Sequence, residues 1–210
     1  MPTIDQARAW YQEYDPVHGF DHILRVLSMA ERLAKAEGAD LEIVRAAALM
    51  HDASGGETGG EERADHQHRS AAFARQVLQE GGWPPERIAA VEHCIRAHRF
   101  RSDEQPQTLE AKVLFDADKL DVIGAFGVAR TLAYDVVMKW PFFAEPSKTF
   151  LENGEKEDGE THSSFHEYLF KLGKIKDRLL TETGRKLAES RQAFLNNYFE
   201  QLASESRGEF

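Results

Sequence analysis

The sequence predicts an all-α protein, and three observations carry that prediction. Apolar residues recur with helical spacing in almost every segment, alternating runs rich in Val, Ile and Thr are missing, and glycine and proline stand where helices should stop. A first short helix is expected over about residues 3–14, ending near Asp15-Pro16, because the residue before a proline is pushed out of the helical region. The second runs from Gly19 to Glu37-Gly38, with Ile23, Val26, Leu27, Ala30 and Leu33 as its inward stripe and Gly38 as its stop. Asp40 can cap a third, LEIVRAAALMHD, whose Val44, Ala48 and His51 share a face. After the loop GGETGG come helices over about Ala64–Glu80 and Glu86–His98, the latter introduced by Pro84-Pro85. One helix or two span 108–138, with Gly124 and Gly127 permitting the close approach of a neighbour. From Trp140 to Glu160 the periodicity dissolves into a long surface loop, and helices return over 161–205 as a C-terminal hairpin.

Composition narrows the function. With 210 residues, 41% hydrophobic and 30% charged, the chain is large enough for one domain with a sizeable core, so a single domain over 1–210 is expected. A net charge of −10, from 36 acidic against 26 basic residues, is the opposite of a nucleic-acid-binding footprint. Cys94 has no partner for an internal disulfide, the N-terminus lacks a secretory pattern, and no apolar stretch approaches the roughly 20 residues of a membrane span. A soluble, cytoplasmic protein, without membrane or nucleic-acid partners, is therefore expected. The unusual entry in the composition is nine histidines.

The doublet His51-Asp52 closes an otherwise apolar helix. Burying a carboxylate without compensation costs several kcal/mol, so Asp52 needs a hydrogen-bonded partner or a cation, and the negative helix end favours a cation. On the doublet alone a helix-end carboxylate beside a packed histidine serves as well as an ion site. His22 extends the pattern, since it lies near the start of the preceding long helix on its apolar side, with Arg25 one turn on. In VLFDADKLD, Asp118 and Asp121 share a face with Ala125, whereas Asp116 points roughly 160° away. Acidic residues on an inward stripe are costly unless they bind something. Imidazoles and carboxylates together suit Mn²⁺, Fe²⁺, Co²⁺, Ni²⁺ or Zn²⁺, with coordination positions left for water and substrate.

In order and helical context, His22, His51-Asp52 and Asp118 resemble the HD-domain metal-dependent phosphohydrolases. The resemblance extends through HILRV, AALMHD, TLEAKVLFDADKLDVIGAFGVAR and SSFHEYLFKLGKIKDRLLTETGRKLAESR, nearly the whole chain. It is similar to the small bacterial stand-alone branch, which includes nucleotide pyrophosphohydrolases. The resemblance implies an HD-domain fold whose metal-site core covers about 18–138, with His22, His51, Asp52 and Asp118 holding one divalent ion, Mg²⁺ being admissible beside the metals above. It implies a nucleotide substrate, cleaved from triphosphate to monophosphate and pyrophosphate by activated water. Nucleotidase or phosphodiesterase activity, or a non-catalytic metal-containing regulatory module, are the alternatives. Around the metal, Asp52 can orient the water, Asp121 or His68 can handle protons, and Arg25 and Lys119 can offset phosphate charge.

The remaining histidines divide by helix phase. His98 follows Ile88, Val91 and Ile95 inward, where it is expected to touch substrate or the core, and His68 is expected to face inward near the start of its helix. His66 and His93 are expected at the surface, and His162 with His166 in packing. GGETGG lacks the Lys-Ser/Thr ending of a phosphate-binding loop and reads as a lid or simple loop. Leu179, Leu187, Phe194, Leu195, Tyr198 and Phe199 form a stripe for internal packing or self-association, so the chain is expected to be a monomer or homodimer.

Overall fold

The computed structural model describes residues 1–11, 15, 17–54, 65–100 and 104–209, and among them every regular element is helical. GGETGG and the expected end of the first helix lie outside the described residues. The chain divides into two compact units, Met1–Asp121 with Leu179–Lys186, and Val122–Arg178 with Leu187–Phe210.

In the first unit, α1 (Ile4–Arg8) is shorter than its sequence suggests and opens with a capping box in which Thr3 and Gln6 bond each other's backbone amides. Helix α2 (Phe20–Glu37) buries Ile23, Val26, Leu27, Ala30 and Leu33 and stops at Gly38, which turns into the left-handed region at φ 81°. Asp40 caps α3 (Leu41–Met50) through the amides of Glu42 and Ile43. Helices α4 (His66–Glu80) and α5 (Pro85–Arg96) pack on each other, and α6 (Leu109–Asp121) packs against α2.

Helix α6 is buried on every side from Val113 to Asp121, although that stretch contains three aspartates and a lysine. A helix hidden all round must compensate each of those charges. Asp116 is satisfied by the amides of Leu180 and Thr181 and the Thr181 hydroxyl, at 2.9, 2.7 and 2.6 Å. The other three charges meet at one place, described below.

The second unit contains α7 (Gly124–Met138), α8 (Lys148–Asn153), α9 (Ser164–Phe170), two 3₁₀ turns (Leu172–Lys174 and Lys176–Arg178) and most of α10 (Glu182–Ser206). The break before α7 answers the question of one helix or two across 108–138. Gly124 takes φ +74°, a backbone conformation that favours glycine, and a Cβ there would press on the Arg191 side chain at 3.1 Å. On α10, Ala188, Leu195, Phe199 and Ala203 are buried, and Tyr168 of α9 stacks on Phe199 at 4.9 Å. Leu179 of the expected stripe is buried as well, whereas Phe194 is half exposed.

The segment expected as an irregular loop over 140–160 contains α8, capped by Ser147 and closed by Gly154 at φ 79°. Glu160 organises it. Its carboxylate accepts hydrogen bonds from the Ser147 amide and hydroxyl, the Glu157 amide and Nε2 of His166.

Candidate metal centre

Three helices of the first unit, with the ends of α3 and α5, bring six buried metal-ligand side chains together. His22 comes from the first turn of α2, His51 and Asp52 from the end of α3, His66 from the start of α4, His98 from just beyond α5, and Asp118 from α6. Their rings form a chain of contacts, His22 to His51 at 5.5 Å, His51 to His98 at 5.2 Å and His98 to His66 at 5.4 Å. The donor atoms fall into two groups, His22, His51 and Asp118 in one and Asp52, His66 and His98 in the other, each with its atoms within 4.8 Å of one another. Asp52 faces both. Its Oδ1 lies 3.1 Å from Nε2 of His66 and 3.5 Å from Nε2 of His98, and its Oδ2 lies 3.7 Å from Nε2 of His51 and 4.0 Å from Nε2 of His22.

Local bonding decides which ring nitrogen carries the proton in three of these histidines. Nδ1 of His51 lies 2.9 Å from the Ala48 carbonyl, Nδ1 of His98 lies 2.6 Å from the Ile95 carbonyl, and Nδ1 of His22 lies 2.7 Å from the Asp121 carboxylate. Carbonyl and carboxylate oxygens only accept, so each Nδ1 is an N–H donor, and the neutral form of each ring presents its Nε2 lone pair inward. The Ala48 carbonyl is available because α3 ends at Met50 and its last carbonyls lack helical donors. Tyr11 takes the next one, donating its hydroxyl to the Leu49 carbonyl at 2.8 Å. Nε2 of His51 is fully buried and has no hydrogen-bond partner among the described residues. A buried polar atom left in that state costs about 1–3 kcal/mol. Three inward lone pairs, a fourth imidazole and two carboxylates form the mixed N and O set that a divalent ion requires, so the residues present fit one.

Both carboxylates are ionised. Burial pushes Asp118 upward, but the Lys119 ammonium beside it and the nearby histidines outweigh burial and hold it far below the usual carboxylate range. Burial likewise opposes ionisation of Asp52, and the positive charge that His51 carries when protonated, with hydrogen bonds donated by His66 and His98 in that form, reverses the balance. His98 itself is shifted down, chiefly by burial, which favours the neutral ligand form. Lys119 Nζ sits 2.6 Å from Asp118 Oδ2 and against the adjoining rings of Phe100 and Phe115, at 4.9 and 5.4 Å from their centres.

With that geometry in view, the comparisons with known proteins are decisive. The HD-domain family profile matches residues 19–123, the stretch that carries all six side chains. The chain belongs to the HD-domain family. It is 29% identical to the Bacillus subtilis protein YpgQ over 99% of this chain and 96% of that protein. The crystal structure of B. subtilis YpgQ in complex with ADP matches with 30% identity and a TM-score of 0.72, covering 97% of each chain. A Lactobacillus plantarum protein of known structure matches at 27% identity, covering 98% of this chain and 95% of that one, with a TM-score of 0.76. An HD-superfamily hydrolase from Bacillus thuringiensis matches at 26% identity over 97% of this chain and 94% of that one, with a TM-score of 0.69. A shorter likeness, 34% identity over 56% of this chain, reaches ribonuclease Y of Chloroflexus aurantiacus but covers only 21% of it. The chain therefore has an HD-superfamily hydrolase fold with His/Asp clusters able to hold a metal ion.

The structure brings His22, His51, Asp52 and Asp118 together and adds two histidines, His98, which was expected to face inward, and His66, which was expected at the surface. His68, expected inward, has its side chain half exposed, with Nε2 3.9 Å from Asp65, whereas His66, expected at the surface, is buried against Asp52. The correction lies in helix phase. His66, Ser70, Ala74 and Leu78 recur every four residues as the buried stripe of α4, and His68 falls nearly opposite. That stripe was available in the sequence as the signal for His66. His98, expected inward against substrate or the core, is buried in the Asp52 group. Arg25 and Asp121 bond each other beside His22, and Lys119 bonds Asp118. His93, also expected at the surface, is part-buried and bonded to Glu104.

Among the described residues no helix is long and apolar enough to cross a membrane.

Proposed function

We propose that this chain is a divalent-metal-dependent phosphohydrolase that acts on nucleotides, with nucleoside triphosphate and water giving monophosphate and pyrophosphate. The observation that carries the reading is the buried Nε2 of His51, without a hydrogen-bond partner among the described residues and within 3.7 Å of an ionised carboxylate. His22, His51, Asp52 and Asp118 would hold one ion, and Asp52, His66 and His98 offer donors for a second, beyond the single ion expected from sequence. A bound divalent ion supplies Lewis acidity toward a phosphoryl oxygen and lowers the pKa of water at neutral pH. Asp52, with an oxygen toward each group, would orient that water, and Nε2 of His98, where it holds no second ion, could accept its proton. Lys119, packed against two adjoining aromatic rings, would offer its ammonium to the phosphate oxygens when its bond to Asp118 is relaxed. The ADP in the YpgQ complex supports a nucleotide with a phosphate chain as the ligand class.

A screen of nucleotides and simple phosphoesters with Mn²⁺, Co²⁺, Ni²⁺ and Mg²⁺, followed by product analysis, tests the proposal. Monophosphate plus pyrophosphate from triphosphates is the expected result. Release of inorganic phosphate from monophosphates alone would move the chain to the nucleotidases, and cleavage of phosphodiesters alone would favour the reading to which ribonuclease Y points. No turnover by metal-loaded protein would leave a regulatory module.

A further inference from the structure

His22 is gripped from both sides by one helix. Asp118 and Asp121 lie one turn apart on α6, and the imidazole of His22 stands between them, its Nε2 3.6 Å from Asp118 Oδ1 and its Nδ1 2.7 Å from Asp121 Oδ2. Behind Asp121 stands Arg25, one turn after His22 on α2. Its Nε and Nη2 take the two oxygens of Asp121 as a fork, at 2.8 and 3.1 Å, and its Nη1 takes Asp21 at 2.5 Å. The guanidinium is committed to two carboxylates, and Asp121, 4% exposed, spends one oxygen on Arg25 and shares the other between Arg25 and His22. The His22 ring separates Asp121 from Asp118.

We infer that Asp121 and Arg25 are positioning residues, a pair that fixes the ring plane and Nδ1–H tautomer of His22 and so sets how tightly its Nε2 takes a divalent ion. The inference rests on the metal-site reading above and changes the roles expected from sequence, where Asp121 was to handle protons and Arg25 to meet phosphate. The physical reason is general. A histidine ligand whose outer N–H is held by a carboxylate is oriented in advance and made more basic, and loss of such a partner costs about 10–100-fold in metal affinity. The fork geometry adds a second expectation, because lysine can keep the charge of Arg25 but cannot hold both oxygens of Asp121 in one plane.

The experiment is a chelator-competition titration with Co²⁺ on wild type, Asp121→Asn, Asp121→Ala and Arg25→Lys, reading affinity and the visible Co²⁺ spectrum, with folding checked by helical circular dichroism. Affinity should fall about 10–100-fold in Asp121→Ala and less in Asp121→Asn and Arg25→Lys. The spectrum should shift, and the turnover lost at low metal should recover as Co²⁺ is raised. Imidazole ¹⁵N shifts of the metal-free protein should report an Nδ1–H His22 in wild type and a tautomer mixture in Asp121→Ala, a readout that general loosening of the fold does not produce. Unchanged affinity and spectrum, with turnover lost at every Co²⁺ concentration, would overturn the inference and return Asp121 to proton transfer. Wild type that takes up no Co²⁺ would defeat the metal-site reading itself.

Discussion

Histidines are buried beside carboxylates in both units, and the two arrangements behave in opposite ways. In the second unit, His166 spends both ring nitrogens on protein partners, Nδ1 on the Ser163 hydroxyl at 2.8 Å and Nε2 on Glu160 at 3.0 Å, and Glu160 collects three further donors. In the first unit, among the described residues, His51 spends only Nδ1, on the Ala48 carbonyl, and its buried Nε2 is left without a hydrogen bond beside ionised Asp52. Burial of a histidine next to an acid is therefore no sign of function. What separates a ligand site from a structural knot is whether the fold itself satisfies the second nitrogen.

The sharpest way to break that comparison is to disable one histidine in each unit. A His51→Ala, Asp52→Ala double variant should lose at least about 1,000-fold in turnover, since it removes donors from both groups. His166→Ala should instead lower the melting temperature and keep metal-dependent turnover in the folded fraction. Equal losses of turnover in the two variants, measured on folded protein, would erase the distinction.

Next in size is a contrast within α6. Asp118→Ala should abolish hydrolysis with the fold retained. Asp116→Ala should do the reverse, because the Leu180 and Thr181 amides and the Thr181 hydroxyl would lose a fully buried acceptor, a cost on the order of 3 kcal/mol. Chemical denaturation alongside turnover separates the two. A stable, inactive Asp116→Ala protein would contradict the assignment of Asp116 to structure.

The contrast between these aspartates was legible in the sequence, because three residues of one apolar helix have fixed angular separations whatever else the chain does. Helix phase likewise set His22, His51 and Asp118 on inward faces, whereas Asp52 was marked by the cost of burying its charge. The grouping of the four as metal ligands came from the resemblance to the HD-domain family. Helix phase went astray at His66 and His68, where the reading set the wrong residue on the inner face at the very start of α4. Ser70, Ala74 and Leu78 carry the true phase, but serine and alanine mark a buried face weakly. The stretch 140–160 read as loop for a different reason. Helix α8 is six residues long and takes its place from Ser147, Gly154 and the Glu160 carboxylate, a set of hydrogen bonds with no periodic trace. The pairing of Arg25 with Asp121 spans 96 positions in sequence, beyond the reach of any local pattern.

A smaller effect sharpens the comparison from the side of the knot. Glu160 is held down to about 2, first by the Ser147 amide, from an ordinary value of 4.5. Its folded pKa lies below its unfolded one, so its ionised form stabilises the fold at pH above about 4.5, and that contribution disappears as the pH falls toward 2. Acid titration followed by circular dichroism should show Glu160→Gln less pH-dependent than wild type across that window. Identical acid transitions would mean that the knot does not depend on the charge.

The central claim is that the unsatisfied histidine nitrogen of the first unit is there for an ion. Elemental analysis after gentle purification and reloading with Mn²⁺, Co²⁺ or Ni²⁺ tests it most directly, with wild type, His166→Ala and the His51→Ala, Asp52→Ala double variant treated alike. Wild type and His166→Ala should each retain at least one ion per chain, and the double variant should retain almost none. Equally little metal in all three proteins would contradict the claim.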